Sequence, residues 1–324
     1  DVTYDANGGE NAPAGQVKTH GTELTLSAEE PTRFGYTFLG WSTDAAATEA
    51  EYEAGATFAV NADTVLYAVW KQDDVLTVNS TNSAVINNVG ESKVFTFTPN
   101  VTDVYVVYST GDADTQVNLY DESGKLLSSN DDAGELNNFR MQYNMTAGQK
   151  YYIEVKYSDT TVTGTISFVF GEIYTVTYKE NGGTSAPASQ IKDYAATLVL
   201  SETIPTREGY TFLGWATEPT ATTATYVAGD DFTVDADTIL YAVWELNTYD
   251  VTYDANGGEN APAGQVKTHG TELTLSAEEP TREGYTFKGW STSANGAVAY
   301  APGATYTAEE TVTLYAVWEI NTYA

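Results

Sequence analysis

The sequence has 324 residues, 42% of them hydrophobic, which predicts two to four folded domains that each bury a core. Its net charge of -31 disfavours binding to nucleic acid or to anionic membranes and favours cationic partners such as Ca²⁺. The absence of cysteine excludes disulfides and thiolate chemistry, and no apolar run approaches the ~20 residues of a membrane span.

The chain begins with a repeat. Residues Asp1 to Arg33 are identical to Asp250 to Arg282, and a diverged copy begins near Tyr174. Each copy closes on the phrase Leu-Tyr-Ala-Val-Trp, at Trp70, Trp244 and Trp318. The spacing predicts three modules, which we number 1 (1–72), 2 (173–247) and 3 (248–320). Residues 321–324 nearly repeat the linker between modules 2 and 3, which predicts that another repeat follows.

Each module has the composition of a small β-sheet of four or five strands. Residues Val2 to Glu10 indicate a strand that enters an Asn-Gly turn, which favours a tight hairpin over a phosphate loop because no helix-forming run follows. Residues 27–35 permit at most one short helical turn. The phrases Tyr-Thr-Phe-Leu-Gly-Trp and Leu-Tyr-Ala-Val-Trp are rich in aromatic and β-branched residues and predict strands.

The aromatic strip of residues 36–41 has two interpretations. Strand alternation places Phe38 and Leu39 on opposite faces. The equivalent of Leu39 in module 3 is Lys288, so this face is predicted to be solvent-exposed. The opposite face, with Phe38, Phe212 and Phe287, is then assigned to the core. Strict alternation also places Trp41 on the wet face, unless Gly40 forms a bulge that re-aims it. We assign Trp70 to the core. The ligand-contact candidates are the tryptophans at the end of the strip, Trp41, Trp215 and Trp290.

Residues 73–172 form an extra domain between modules 1 and 2. Five strand-like segments separated by turn residues predict a β-sandwich. Two of its predicted loops carry acidic residues, and Ca²⁺ takes 6–8 oxygen ligands of this kind. The candidate calcium ligands are Asp112, Asp114, Asp131 and Asp132. Solvated turns are the alternative interpretation of these residues.

No catalytic constellation stands out. The two histidines, His20 and His269, occupy equivalent positions in identical segments, and module 2 has Tyr194 there, which favours surface loops over general-base catalysis. Acidic pairs occur by chance among 45 Asp and Glu residues, so they do not indicate a glycosidase. We therefore predict that the chain is not an enzyme.

Taken together, the phrases V-T-Y-D-x-N-G-G, P-T-R-x-G-Y-T-F-x-G-W and L-Y-A-V-W resemble the Listeria-Bacteroides repeat, the B-repeat of internalin-type bacterial surface proteins. This resemblance implies compact β-grasp-like modules in tandem, with no enzymatic activity and no ligand residues to transfer. Residues 73–172 resemble the bacterial pre-peptidase C-terminal domain, a jelly-roll module, through the motifs at Asp114 to Asp121, Asn130 to Asp132 and Ala147 to Ile153.

The predicted fold is mainly β, with tandem β-grasp-like repeats and one jelly-roll-like β-sandwich. The predicted function is a non-catalytic segment of a bacterial cell-surface or cell-wall protein, with the repeats as a stalk and the sandwich as an adhesion or calcium-binding module. The alternatives are a carbohydrate-binding module and an accessory region of a secreted hydrolase. We expect a monomer whose partner is a host or extracellular protein or a glycan, with no nucleic acid, no membrane insertion and no cofactor other than calcium.

Overall fold

The computed structural model describes residues 1–134 and 136–322, so the predicted linker at 321–324 is described only as far as Thr322. These residues form 25 strands and no helix, which confirms the mainly β class. The chain divides into two compact units, each described below by itself. Unit 1 comprises residues 1–174, 191–197 and 233–235, and unit 2 comprises 175–190, 198–232 and the chain from 236 onwards.

Module 1 is a mixed sheet with a smaller sheet beside it. Its strands are β1 (Val2–Asp5), β2 (Leu24–Thr25), β3 (Tyr36–Ser42), β4 (Thr57–Phe58) and β5 (Thr64–Gln72). The main sheet has the order β1-β5-β3, with β1 parallel and β3 antiparallel to β5, while β2 pairs with β4. The buried core comprises Val2, Leu26, Trp41, Phe58, Leu66 and Ala68.

The Asn-Gly turn is present, but the predicted hairpin is wrong. Asn7 and Gly8 have φ angles of 48° and 87°, and the Gly9 amide donates to the Ala6 carbonyl at 2.9 Å. The segment after the turn meets β1 at an antiparallel bridge between Val2 and Gln16 rather than in a tight hairpin, and β1 lies parallel to β5, where Val2 is fully buried in the module core. The turn forms, but burial of the apolar face of β1 determines which strand it pairs with.

Residues 73–172 form the predicted sandwich in unit 1. Its strands are β6 (Asp74–Val75), β7 (Ser80–Ile86), β8 (Lys93–Phe97), β9 (Asp103–Thr110), β10 (Thr115–Asp121), β11 (Leu126–Asn130), β12 (Arg140–Met145), β13 (Tyr151–Tyr157) and the first part of β14 (Gly164–Lys179). One sheet has the order β11-β10-β13-β8-β6, and the other places β14 between β7 and β9, with β12 next to β9. Aromatic and aliphatic side chains from both sheets share one core.

The last part of β14 belongs to module 2. The predicted boundary at residue 173 therefore falls inside a strand rather than in a linker. Residues Val176–Lys179 pair in parallel with β19. The other strands of module 2 are β15 (Gln190–Asp193), β16 (Leu198–Val199), β17 (Tyr210–Ala216), β18 (Asp231–Phe232) and β19 (Thr238–Leu246).

Module 3 lies entirely in unit 2 and repeats the architecture of module 1. Its strands are β20 (Thr248–Asp254), β21 (Gln265–Thr268), β22 (Leu273–Thr274), β23 (Tyr285–Ser291), β24 (Thr305–Tyr306) and β25 (Val312–Ile320). The main sheet has the order β21-β20-β25-β23, and β20 is parallel to β25. The linker residues Thr248 and Tyr249 extend β20 and allow it to pair with β21.

A glycine bulge settles the orientation of the aromatic strip. In module 1, Phe38 pairs with Trp70 and Gly40 pairs with Val69, so Leu39 is the extra residue of β3. Gly40 has a φ angle of 132°, and a Cβ there would collide with the Tyr52 carbonyl. The bulge places the rings of Phe38 and Trp41 on one face, 5.0 Å apart, and the same register shift occurs in modules 2 and 3.

Candidate functional site

The two acidic loops lie together at one end of the sandwich. The Asn138 side-chain amide donates to the Gly111 carbonyl at 2.7 Å, and the Thr115 amide donates to the Asn137 carbonyl at 3.3 Å. The buried hydroxyls of Ser109 and Thr115 lie 2.6 Å apart behind these contacts. A neutral hydrogen-bond network therefore fixes the loop bases and positions the exposed acidic tips.

The four candidate calcium ligands do not form a metal cluster. Asp112, Asp114, Asp131 and Asp132 are all exposed. Within residues 1–134 and 136–322, no group of three or more Asp, Glu, His or Cys side chains is close enough to hold a metal ion. The loops meet without gathering three carboxylates around one point, and calcium binding by these residues stays a prediction.

The proposed contact role of Trp41, Trp215 and Trp290 is corrected by their burial. All three indoles are 0% exposed, so none can stack on an external ligand. Their N–H groups have no hydrogen-bond partner among the described residues, and in module 1 the ring of Tyr4 packs edge-on against the indole. Trp70, which we assigned to the core, is only partly buried and donates its N–H to the Ala6 carbonyl at 2.9 Å.

A cleft of about 640 Å³ lies beside the acidic loops, between the sandwich and residues 191–197 of unit 1. The Arg140 guanidinium forms a bidentate ion pair with the Asp193 carboxylate, in which Nε and Nη2 donate to the two carboxylate oxygens at 2.5 and 2.7 Å. Tyr108 lines the same cleft and donates to the Tyr194 carbonyl at 2.8 Å. Burial, helped by the negative charge of Asp193, raises the pKa of Tyr108 to about 12, so this hydroxyl stays protonated.

Sequence reasoning missed these cleft residues, although a signal existed. Arg140 is the one arginine outside the three repeats. Asp193 stands in the segment Lys-Asp-Tyr, where modules 1 and 3 have Lys-Thr-His. A charge that appears in only one repeat, together with one extra arginine, indicates a pair specific to the contact between the sandwich and this segment.

Module 1 is joined to the sandwich through a contact that we call joint 1. The Asp73 amide donates to the Gly35 carbonyl at 3.0 Å, and the Thr37 hydroxyl donates to the Asp73 carboxylate at 3.0 Å. The Tyr152 ring covers Gly35 so closely that a Cβ on the glycine would collide with it. Phe34 packs against the same ring, with centroids 4.5 Å apart.

Modules 2 and 3 are joined in the same way at joint 2, within unit 2. The Asn247 amide donates to the Gly209 carbonyl at 2.9 Å, and the Thr211 hydroxyl donates to the Asn247 side chain at 2.7 Å. Here the imidazole of His269 covers the glycine and leaves no room for a Cβ. The His269 amide donates to the Asn247 carbonyl at 3.0 Å, and its ring hydrogen-bonds to Tyr249 at 3.0 Å. His269 is thus a joint residue, whereas His20 is exposed.

These repeated modules can be assigned to a family. A model of the Listeria-Bacteroides repeat domain matches residues 1–69, 174–243 and 249–317. The chain belongs to this family. The three matches coincide with modules 1, 2 and 3 and leave out the sandwich.

Three curated proteins are similar to parts of the chain. A putative membrane protein of Evansella cellulosilytica is 34% identical over 46% of this chain, and a putative Gly-rich membrane protein of the same organism is 29% identical over 89%. Internalin H of Listeria monocytogenes is 30% identical over 52% of the chain. The chain spans 22% to 29% of the length of these relatives.

Two solved structures are similar to parts of the chain. The pre-peptidase C-terminal domain of a Bacillus anthracis collagenase has 17% identity and a TM-score of 0.26, covering 31% of this chain and 94% of that domain. The periplasmic lysozyme inhibitor PliG of Aeromonas hydrophila has 13% identity and a TM-score of 0.23, covering 31% of this chain and 97% of that protein. In the described part of the chain, no helix has the length and apolar character needed to cross a membrane.

Proposed function

We propose that this chain is a non-catalytic segment of a bacterial cell-surface protein, in which the three repeats act as a stalk and the sandwich makes the contact with other molecules. The family assignment and the similarity to internalin H support an accessory region of a surface protein. The chain's acidic composition suits an extracellular location, because a net charge of -31 keeps the protein soluble and repels anionic surfaces.

The stalk proposal rests on the phrase Arg-x-Gly-Tyr-Thr-Phe, which occurs in all three modules and makes the same contacts in each. Its phenylalanine packs against each module core, its arginine lies over its tyrosine ring, and its glycine and threonine hold the outgoing linker at both joints. The phrase therefore serves module folding and module connection, and it leaves no aromatic platform for a glycan. A module built in this way can be duplicated to add length.

Surface display tests the stalk proposal. An epitope placed before Asp1 and an anchor fused to the other end allow copies of residues 248–320 to be added between them. We expect labelling by antibody-coated beads to rise with each added repeat, and to rise less when flexible Gly-Ser linkers of equal residue number replace the repeats. Labelling that depends only on residue number would contradict a structured stalk.

We further propose that the sandwich contacts its protein or glycan partner through the cleft beside Arg140. The cleft supports this proposal because it combines a charged pair, hydroxyl groups and open space beside the one domain that is not repeated. Arrays of host extracellular proteins and glycans would identify the partner. Ala196→Arg fills the cleft and should abolish binding, whereas Ala14→Arg, on the exposed surface of module 1, should not. Equal binding by both variants would place the contact elsewhere.

A further inference from the structure

The third module has an acceptor surface that repeats the two hydrogen bonds of the occupied joints. The Asn321 amide donates to the Gly284 carbonyl at 2.9 Å, and the Thr286 hydroxyl donates to the Asn321 side chain at 2.6 Å. These are the bonds that Asp73 makes in joint 1 and Asn247 makes in joint 2. The outgoing linker of module 3 is thus already held in the position from which a following domain can dock.

The glycine itself is open in module 3. A Cβ built on Gly35 or Gly209 collides with the ring of Tyr152 or His269, whereas one built on Gly284 meets no atom of residues 1–134 or 136–322 within 4 Å. All three glycines have φ angles between 76° and 78°, so the backbone shape is the same and only the covering ring differs. The surface is preformed and uncovered.

The chain also shows which group fits this surface. In joint 2 the acceptor lies in the segment Thr-Arg-Glu-Gly-Tyr-Thr-Phe at 206–212, and module 3 has the same seven residues at 281–287. The linker Glu-Leu-Asn-Thr-Tyr at 245–249 has the counterpart Glu-Ile-Asn-Thr-Tyr at 319–323. Because the acceptor and linker sequences match, the matching occupant is the loop that joint 2 accepts, Lys-Thr-His-Gly at 267–270.

We propose that the surface around Gly284 docks the Lys-Thr-His-Gly loop of a further repeat that is joined to module 3 through the Asn321 linker. The imidazole of that loop covers Gly284, and its backbone amide bonds to the Asn321 carbonyl. This deepens the stalk proposal by stating how one repeat fixes the next. The docking itself is measured directly below, so its failure is distinguishable from failure of the stalk function.

A covalently joined repeat is favoured over a second copy of the chain. Joint 2 consists of one ring over one glycine and a few hydrogen bonds, whereas stable complexes between separate proteins bury about 1,200–2,000 Å². A short linker supplies an effective concentration in the millimolar range, which is sufficient for such a small contact. Because Asn321 is already hydrogen-bonded to module 3, fewer linker residues remain free to move.

The two natural histidines serve as references in the experiment. His20 lies in an exposed copy of the same Lys-Thr-His-Gly loop, and His269 lies in the docked copy. The extended protein replaces Ala324 with a copy of residues 250–320, which restores the spacing of joint 2 and adds a third histidine. Ring-labelled histidine NMR then reports the environment of each imidazole, and the variants H20Q and H269Q assign the two reference signals.

We expect the third imidazole signal to fall at the position of His269 rather than that of His20. Gly284→Asn in the extended protein should move it away from the His269 position, because asparagine tolerates a φ angle of 77° while its side chain blocks the surface. In the original chain the same variant should leave both reference signals unchanged. Dispersed indole signals from the added tryptophans verify that the new repeat is folded.

Two results would overturn the proposal. One is a third signal that stays at the His20 position, or that ignores Gly284→Asn, in a folded extended protein. The other is a shift of the His20 signal towards the docked position as the concentration of the original chain rises. That result would assign the Gly284 surface to a second copy instead of a joined repeat.

Discussion

Residues 1–33 and 250–282 have the same sequence but different surroundings. Both segments place a valine and a leucine in the core of their module. Lys18 is partly exposed and bonds to the Asn61 side chain at 2.7 Å, whereas Lys267 is 1% exposed and forms an ion pair with Glu309 at 2.9 Å. Identical residues thus give the same core, while the neighbouring module and the partner residue determine the surroundings of the loop.

The largest expected effect tests the equality of the two cores. Trp41→Ala and Trp290→Ala should each lower the free energy of unfolding of their own module by about 3–5 kcal/mol, because each removes a fully buried indole. Denaturation with hydrogen exchange resolved by module measures both. Trp41→Phe and Trp290→Phe serve as milder controls. A clear difference between the losses of unfolding free energy in the two alanine variants would show that the cores of modules 1 and 3 are not equivalent.

The two lysines should differ where the tryptophans do not. Lys267→Ala should lower the free energy of unfolding by about 1–3 kcal/mol, because it removes a buried side chain together with its charged hydrogen bond to Glu309. Lys18→Ala should change stability by no more than about 0.5 kcal/mol, as for most exposed positions. Chemical denaturation of the two variants gives the comparison. Equal costs would show that joint 2 does not alter the environment of Lys267.

Phe34 is the first residue at which the two segments diverge, since module 3 has Glu283 there. Although it is 43% exposed, its ring contacts Tyr120 and Tyr152 of the sandwich. Phe34→Glu should weaken joint 1 by roughly 0.5–1.5 kcal/mol for each aromatic contact that is lost. Faster hydrogen exchange at the Asp73 amide would report this change. Glu283→Phe is the matched control, because the Phe34 contacts with Tyr120 and Tyr152 have no counterpart at Glu283.

The smallest effect concerns the linker residue of joint 1. Burial raises the pKa of Asp73, while the same position is Asn247 in joint 2 and Asn321 after module 3. A carboxyl whose folded-state pKa is raised weakens the fold once the pH rises above that pKa, and it has no such effect when both states are protonated. Asp73→Asn should therefore stabilise joint 1 at pH 7, by less than about 1 kcal/mol, and should lose this advantage near pH 3.

Thermal melting at the two pH values measures this difference. Asn247→Asp is the reciprocal variant and should weaken joint 2 at pH 7. Stabilisation by Asp73→Asn that persists unchanged at pH 3 would contradict burial of the ionised carboxylate as the cause.

Sequence patterns predicted those features that depend on local periodicity. The five strand segments of the sandwich and the two closing strands of each module all form. The wet position of Leu39 and Lys288 also follows from simple alternation, and both side chains are exposed. The orientation of Trp41 did not follow, because one glycine in a strand fits either a regular strand or a bulge until the partner strand is known.

The candidate site was harder to predict because it depends on contacts between distant segments. Arg140 and Asp193 are 53 residues apart, and nothing in their local sequence pairs them. Likewise, His269 resembles a surface loop residue in the sequence and becomes a joint residue only when module 2 lies next to it. The two acidic loops meet in the structure, but loop proximity alone does not fix where each carboxylate points.

The parallel pairing of the first and last strands has a mechanical consequence. In modules 1, 2 and 3 these neighbouring strands begin the register Val2 to Thr64, Val176 to Thr238 and Val251 to Val312. Tension along the chain pulls the two strands in opposite directions along their own axes. It therefore shears all the hydrogen bonds between them at once, instead of opening them one after another. Each repeat thus opposes tension applied through its two ends by shear of this parallel strand pair.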